Sequence, residues 1–153
     1  PEGVTQIAVD SIFMMPQLGV LSSIHQEAAL EVFDRDCLIR LGTTINPLLR
    51  KVPKDKKLFD YHFSYQGTEY TGTIKCNQVE LISIPYAEIN ISLTPSSNVD
   101  LGNGFGQKID CKAWGGEIGV FFDGRLKDSS NKFIIDSKDM VLDWYNKLGV
   151  YSL

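Results

Sequence analysis

His25 and His62 are the only histidines in this 153-residue chain, and so the only side chains that ordinarily change charge near neutral pH. A catalytic triad or a histidine-based metal site needs one of them beside a nucleophile and an orienting carboxylate, and nothing in the sequence supplies that pairing. His25 falls in the first turn of an expected helix, where a solvated ring is the ordinary condition. His62 falls on the polar side of an expected strand. Asp34 and Asp36 could share a cation, but Arg35 separates them and no third oxygen donor follows at calcium-loop spacing. They read as a helix-terminal salt-bridge network. Acid–base chemistry would draw on Asp100, Asp110, Glu117 and Asp123, and requires two of them in one cleft with environments that separate their pKa values. Cys37, Cys76 and Cys111 are odd in number and widely spaced. Without a Cys-x-x-Cys pair they read as buried free thiols of a reducing, cytoplasmic setting rather than as zinc ligands. No catalytic residue, metal or cofactor is expected.

The glycines carry more information. Five of the thirteen, in Gly102-Asn103-Gly104-Phe105-Gly106 and Gly115-Gly116, fall within fifteen residues. Glycine serves where the backbone takes positive φ or meets something closely. The spacing fits neither the dinucleotide fingerprint nor the phosphate loop, and a strand-like segment follows it instead of a helix. Gly116 is expected to shape a bend between two strands, with Gly104 as the better contact candidate and Phe105 at the loop tip. The candidate binding residues are Gly102, Asn103, Gly104, Phe105, Gly106, Trp114, and the Asp123 and Arg125 of an expected exposed turn. The alternating aromatics Phe59, Tyr61, Phe63 and Tyr65 could form a stacking platform, but a sheet must bury one face and these are the residues to bury.

The elements that must position these residues follow from periodicity. Gln6 to Phe13 and Cys37 to Leu41 read as strands, separated by a short helix that Ser23-Ile24-His25-Gln26 would cap. Leu58 to Tyr65, Thr68 to Cys76 and Val79 to Ile84 read as a meander, turning at Gln66-Gly67 and Asn77-Gln78. Ile89 to Leu93, Lys108 to Ala113 and Glu117 to Phe122 are further strands. Asp123-Gly124 signals a hairpin returning through Phe133 to Ile135. Met140, Val141, Trp144, Tyr145 and Leu148 form one helical stripe, capped by Asp136 or Ser137 and closed by Gly149. The fold class expected is α+β: about eight short, mostly antiparallel strands, barrel- or sandwich-like, with a helix near each end.

The length suits one domain over residues 1–153. The start at Pro1 fits a processed chain or a piece of a larger protein. The net charge of −4 argues against nucleic acid or an anionic membrane as partner. No apolar run is long enough to span a bilayer. Asn46-Pro47 and Val52-Pro53 bracket a basic loop, and Lys54-Asp55-Lys56-Lys57 reads as a solvated part of it.

Several stretches together resemble a known family. Asp10-Ser11-Ile12-Phe13, Pro16-Gln17-Leu18-Gly19-Val20-Leu21, Glu27-Ala28-Ala29 and Leu41-Gly42-Thr43 precede Gly115-Gly116-Glu117-Ile118-Gly119-Val120, Asp123-Gly124-Arg125 and a helix carrying Trp144. In this order they resemble the carboxy-terminal region of the accessory, actin-like ATPase associated with adenosylcobalamin-dependent glutamate mutase. The resemblance implies a reactivating, chaperone-like assembly, with an ATPase core or a mutase subunit as protein partner. The phosphate loops of that core and the cobalamin-binding motif of the mutase have no counterpart here, so no functional residue carries over. The reading is therefore a non-catalytic interaction domain. The alternatives are a small-molecule or carbohydrate-binding β module, and a small enzyme using carboxylates alone.

Overall fold

The computed structural model describes residues 2–10 and 38–148. The expected first helix with His25, the Asp34–Arg35–Asp36 group, Cys37 and Gly149 lie outside the described residues.

Among the described residues ten strands are formed: β1 Gly3–Asp10, β2 Leu38–Asn46, β3 Leu48–Leu49, β4 Lys57–Tyr65, β5 Thr68–Lys75, β6 Val79–Ile82, β7 Glu88–Pro95, β8 Val99–Asp100, β9 Ile109–Trp114 and β10 Gly119–Asp123. One helix, α1 Lys138–Leu148, follows them. One four-stranded sheet runs β5-β4-β7-β9 and is antiparallel throughout. A second runs β1-β2-β10-β6, with β2 and β10 parallel. The two-residue strands β3 and β8 pair by themselves.

The aromatic alternation of β4 sets the first sheet's inner face. Phe59, Tyr61 and Phe63 are buried, while His62 and Ser64 are exposed. Gln66 and Gly67 both hold positive φ, at +49° and +79°, the two-residue turn whose twist matches the strands it joins. Phe122 of β10 closes the core from the opposite sheet. It stacks on Tyr61 at 4.1 Å and meets Phe59 at 6.2 Å.

Two expectations are corrected. The meander stops at β5: after the turn at Asn77 (φ +65°) the chain crosses to the second sheet, where β6 pairs with β10. Among the described residues β5 stands at the edge of its sheet, and β7 pairs with the other side of β4. Asp123-Gly124 makes no hairpin either. Gly124 N–H donates to the Gln78 carbonyl (2.8 Å), and its own carbonyl accepts from Asn77 N–H (2.7 Å). Leu126 N–H then donates to Asn77 Oδ1 (2.9 Å). Asn77 thus captures the chain that leaves β10, and residues 126–134 close on themselves through the Ile134 N–H to Leu126 carbonyl bond (2.9 Å).

The helix matches its expected stripe. Ser137 Oγ accepts from Met140 N–H at 3.2 Å, an N-cap contact. Trp144 is buried, with Met140, Val141, Tyr145 and Leu148 half-buried around it. Its indole Nε1–H donates to the Asn77 carbonyl at 2.6 Å, tying α1 to the turn before β6.

Candidate functional site

The glycine loop is built around Asp100. One carboxylate oxygen, Oδ1, accepts from the N–H groups of Gly102 (2.7 Å) and Gly104 (3.0 Å). Gly106 N–H donates to the Val99 carbonyl (2.9 Å). Gly102, Gly104 and Gly106 hold φ of +121°, +109° and +71°, a path that side chains oppose. The donors of Gly102 and Gly104 are thus already used by the chain's own aspartate. Phe105 is no exposed tip: it is half-buried, bridged back to Asp100, with the Arg50 guanidinium 4.5 Å from its ring centre. Gly116 has an ordinary φ, but a Cβ there would overlap the Arg40 carbonyl oxygen and the Leu41 backbone.

Trp114 is half-buried at the end of β9. Its backbone is locked to buried Thr43, whose Oγ1 donates to the Trp114 carbonyl (2.7 Å) and accepts from its N–H (2.9 Å). Asp123 and Arg125, expected on an exposed turn, are largely enclosed and satisfy each other. Arg125 Nε donates to Asp123 Oδ1 at 2.8 Å and its terminal nitrogen to Oδ2 at 2.9 Å, the two-pronged geometry that suits guanidinium and carboxylate. The guanidinium lies 4.3 Å from the Phe133 ring centre and 5.7 Å from that of Trp144. Aromatic faces, not solvent, surround the positive charge.

Residues 46–52 and the segment 123–134 flank a cleft of about 850 Å³, floored in part by Asp123 and Arg125. Leu48, Val52 and Ile134 line it and remain 39%, 48% and 41% exposed. Arg50, Lys51 and Lys127 supply cationic edges. A neighbouring cleft of about 570 Å³ shares Lys51 and Val52 and continues over Pro53, Lys54, Lys57 and Asn98. Gly102 and Asn103 line a third, of about 500 Å³. Arg50 links the sequence candidates, since its guanidinium caps Phe105 while it lines the same cleft as Asp123 and Arg125. Trp114 lines none of the three. Reasoning from sequence missed Leu48, Arg50, Val52 and Ile134. The proline-bracketed basic loop could have pointed to Leu48, Arg50 and Val52; Ile134 lies outside it and reaches the cleft only through the fold.

The four carboxylates do not assemble. Asp100 organises the glycine loop, Asp123 holds Arg125, Asp110 accepts from Ser92 Oγ (2.5 Å) and Glu117 is exposed; none of the three clefts contains two of them. His62 sits on the outer sheet face, its Nε2 2.5 Å from Glu69 Oε2. Of the aromatic stripe, Phe59, Tyr61 and Phe63 are core and Tyr65 is half-buried against it, so the stripe offers no open face of four rings. Burial pushes the thiols of Cys76 and Cys111 up, the opposite of an activated nucleophile. Among the described residues no group of three or more His, Cys, Asp or Glu could hold a metal ion, and no helix is long and apolar enough to cross a membrane.

Comparison with protein families, with curated proteins and with solved structures finds no match to this chain.

Proposed function

We propose that this chain is a non-catalytic interaction module of an assembly in which an actin-like ATPase services a cobalamin-dependent mutase, and that it meets a protein partner at the cleft between residues 46–52 and 123–134. The observation that carries the reading is the set of three aliphatic side chains, Leu48, Val52 and Ile134, left 39–48% exposed around one concavity. Covering each one contributes roughly 1 kcal/mol, about half the gain for a fully exposed aliphatic side chain. The cleft floor is fixed by the Asp123–Arg125 pair, so a partner meets a preformed shape. The resemblance supplies the partner class. Its two halves also interlock: Leu41-Gly42-Thr43 packs against Gly115 to Val120 through backbone contacts of Gly42 with Gly119 and of Gly116 with Leu41. Those glycines therefore build the frame, and the partner surface lies elsewhere.

Titration calorimetry of the full chain against the purified ATPase core and mutase subunits tests this. Binding to one of them is expected, weakened about tenfold or more by Val52→Asp with Ile134→Asp, with circular dichroism unchanged. Binding to neither protein would refute the proposal.

A further inference from the structure

We infer that the partner enters this cleft with an extended, acidic segment carrying aliphatic side chains. The inference rests on the interaction-module reading and names the chemistry of the partner.

Charge on this molecule is sharply segregated. Residues 50–57 hold Arg50, Lys51, Lys54, Lys56 and Lys57 against Asp55 alone, a charge of +4, which leaves the rest of the chain at −8. The local anions are already engaged. Asp55 Oδ1 accepts from Lys57 N–H (3.0 Å), and Asp60 holds the Lys57 ammonium (2.7 Å). Asp123 is taken by Arg125, and Asp128 Oδ1 accepts from the N–H groups of Ser130 and Lys132. Among the described residues no carboxylate forms a salt bridge with Lys51, Lys54 or Lys56, all three exposed. Arg50 is held in place by Phe105 and by hydrogen bonds to Asn98 Oδ1 and the Ser97 carbonyl (both 3.3 Å), with no carboxylate of the described residues on it. Glu2 is the remaining carboxylate lining the larger cleft.

Arg50, Lys51 and Lys54 run beside the exposed aliphatics, because the two adjoining clefts share Lys51 and Val52. The track therefore offers apolar contact and positive potential along one line. That complements a peptide in which acidic and aliphatic residues alternate. Nucleic acid fits less well: among the described residues no aromatic side chain lines either cleft, so bases would have nothing there to stack on. A bilayer is also disfavoured, because the aliphatics line a concavity and a flat surface would not reach them.

The test is fluorescence anisotropy with a labelled peptide alternating Glu and Asp with Leu and Val, beside a counterpart with Gln and Asn in place of the acids. Oligothymidylate and phosphatidylserine vesicles serve as competitors. The acidic peptide is expected to bind about tenfold or more tighter than the neutral one, to weaken as salt is raised, and to lose about tenfold in Lys51→Glu with Lys54→Glu. Both lysines are exposed, so an unchanged melting temperature will show the variant folded. Equal binding of the two peptides overturns the inference, as does tighter binding of oligothymidylate or vesicles. Intact binding of the ATPase core or mutase subunit by the lysine variant overturns it too, while leaving the interaction-module reading standing. Failure of the unmodified chain to bind either protein sinks that reading separately.

Discussion

Gly42 of β2 and Gly119 of β10 face each other across the parallel strand pair, at φ +135° and +112°. A Cβ on Gly42 would overlap the Gly119 carbonyl oxygen, and one on Gly119 would overlap that of Ile82. The second sheet is therefore welded at its centre by backbone on backbone. Gly42→Ala combines a forbidden dihedral with an overlap that no rotamer relieves, and is expected to cost at least about 2 kcal/mol. Gly67, at φ +79° with open space around it, isolates the dihedral cost, about 1 kcal/mol in Gly67→Ala. Urea midpoints compare the two. If Gly42→Ala is no worse than Gly67→Ala, close backbone packing is not what holds this sheet.

The glycine loop gives a second pair of measurements. Gly104→Ala meets only φ +109° and the flexible Gln107 side chain, for a loss of about 1 kcal/mol. Gly116→Ala must displace the backbone of Arg40 and Leu41 and is expected to cost more, about 2 kcal/mol. Asp100→Ala removes the acceptor for two amides at once and should speed hydrogen exchange at Gly102 and Gly104. Unchanged exchange at both amides would show that Asp100 does not organise the loop.

What was legible in the sequence depended on how local its cause was. The β4–β5 hairpin was readable because period-two aromatics and a two-residue turn act within a single stretch of chain. The α1 stripe was readable for the same reason, at period 3.6. The crossing of β6 to the other sheet was not, because Val79 to Ile82 would read the same beside β5 as beside β10, and only a partner forty residues away decides. Asp123-Gly124 misled because its turn signal is local, whereas its fate is set by Asn77, whose backbone and side chain take the chain first. The cleft was illegible because Leu48, Val52 and Ile134 come together only after the second sheet has formed.

Trp144 holds α1 through one hydrogen bond and its ring contacts. Trp144→Phe keeps most of the packing but leaves the Asn77 carbonyl without the indole donor, at about 1–2 kcal/mol. Trp144→Ala also opens a void and is expected to cost about 3 kcal/mol or more. Near-ultraviolet dichroism and denaturant midpoints read both. Equal losses for the two substitutions would show that the hydrogen bond, not the ring, docks the helix.

The Lys57–Asp60 pair sets a pH window. Partial burial pushes the Asp60 carboxyl up, but hydrogen bonds from Lys57 and Thr73 outweigh it and hold the group below its ordinary 3.8. The same hydrogen bond, with the Asp60 charge, raises Lys57 above its ordinary 10.5. A depressed carboxylate contributes stability above its unfolded pKa and loses it as pH falls through the folded one. A raised ammonium contributes below its unfolded pKa and loses its share as pH rises through the folded one. Asp60→Asn should therefore destabilise throughout the neutral range and converge on the unmodified protein in strong acid. Carbon-13 titration should place Asp60 below 3.8 and move it upward in Thr73→Val. An Asp60 titrating at or above its ordinary value would remove the argument.

Asp123 and Arg125 make the sharpest test of the cleft floor, because their side chains are only 11% and 18% exposed. Removing one partner leaves the other charge enclosed, so Asp123→Ala is expected to cost about 3 kcal/mol. Arg125→Lys should recover little, since an ammonium cannot reproduce the two-pronged bond or spread its charge as a guanidinium does beside Phe133 and Trp144. Removing both charges relieves the stranded one, so Asp123→Ala with Arg125→Ala should cost well below the sum of the single losses. A double-mutant cycle in urea measures that coupling, expected at about 1.5 kcal/mol or more and nearly insensitive to salt. Additive losses would mean that the two side chains are held by their separate surroundings, and the cleft would lose its fixed floor.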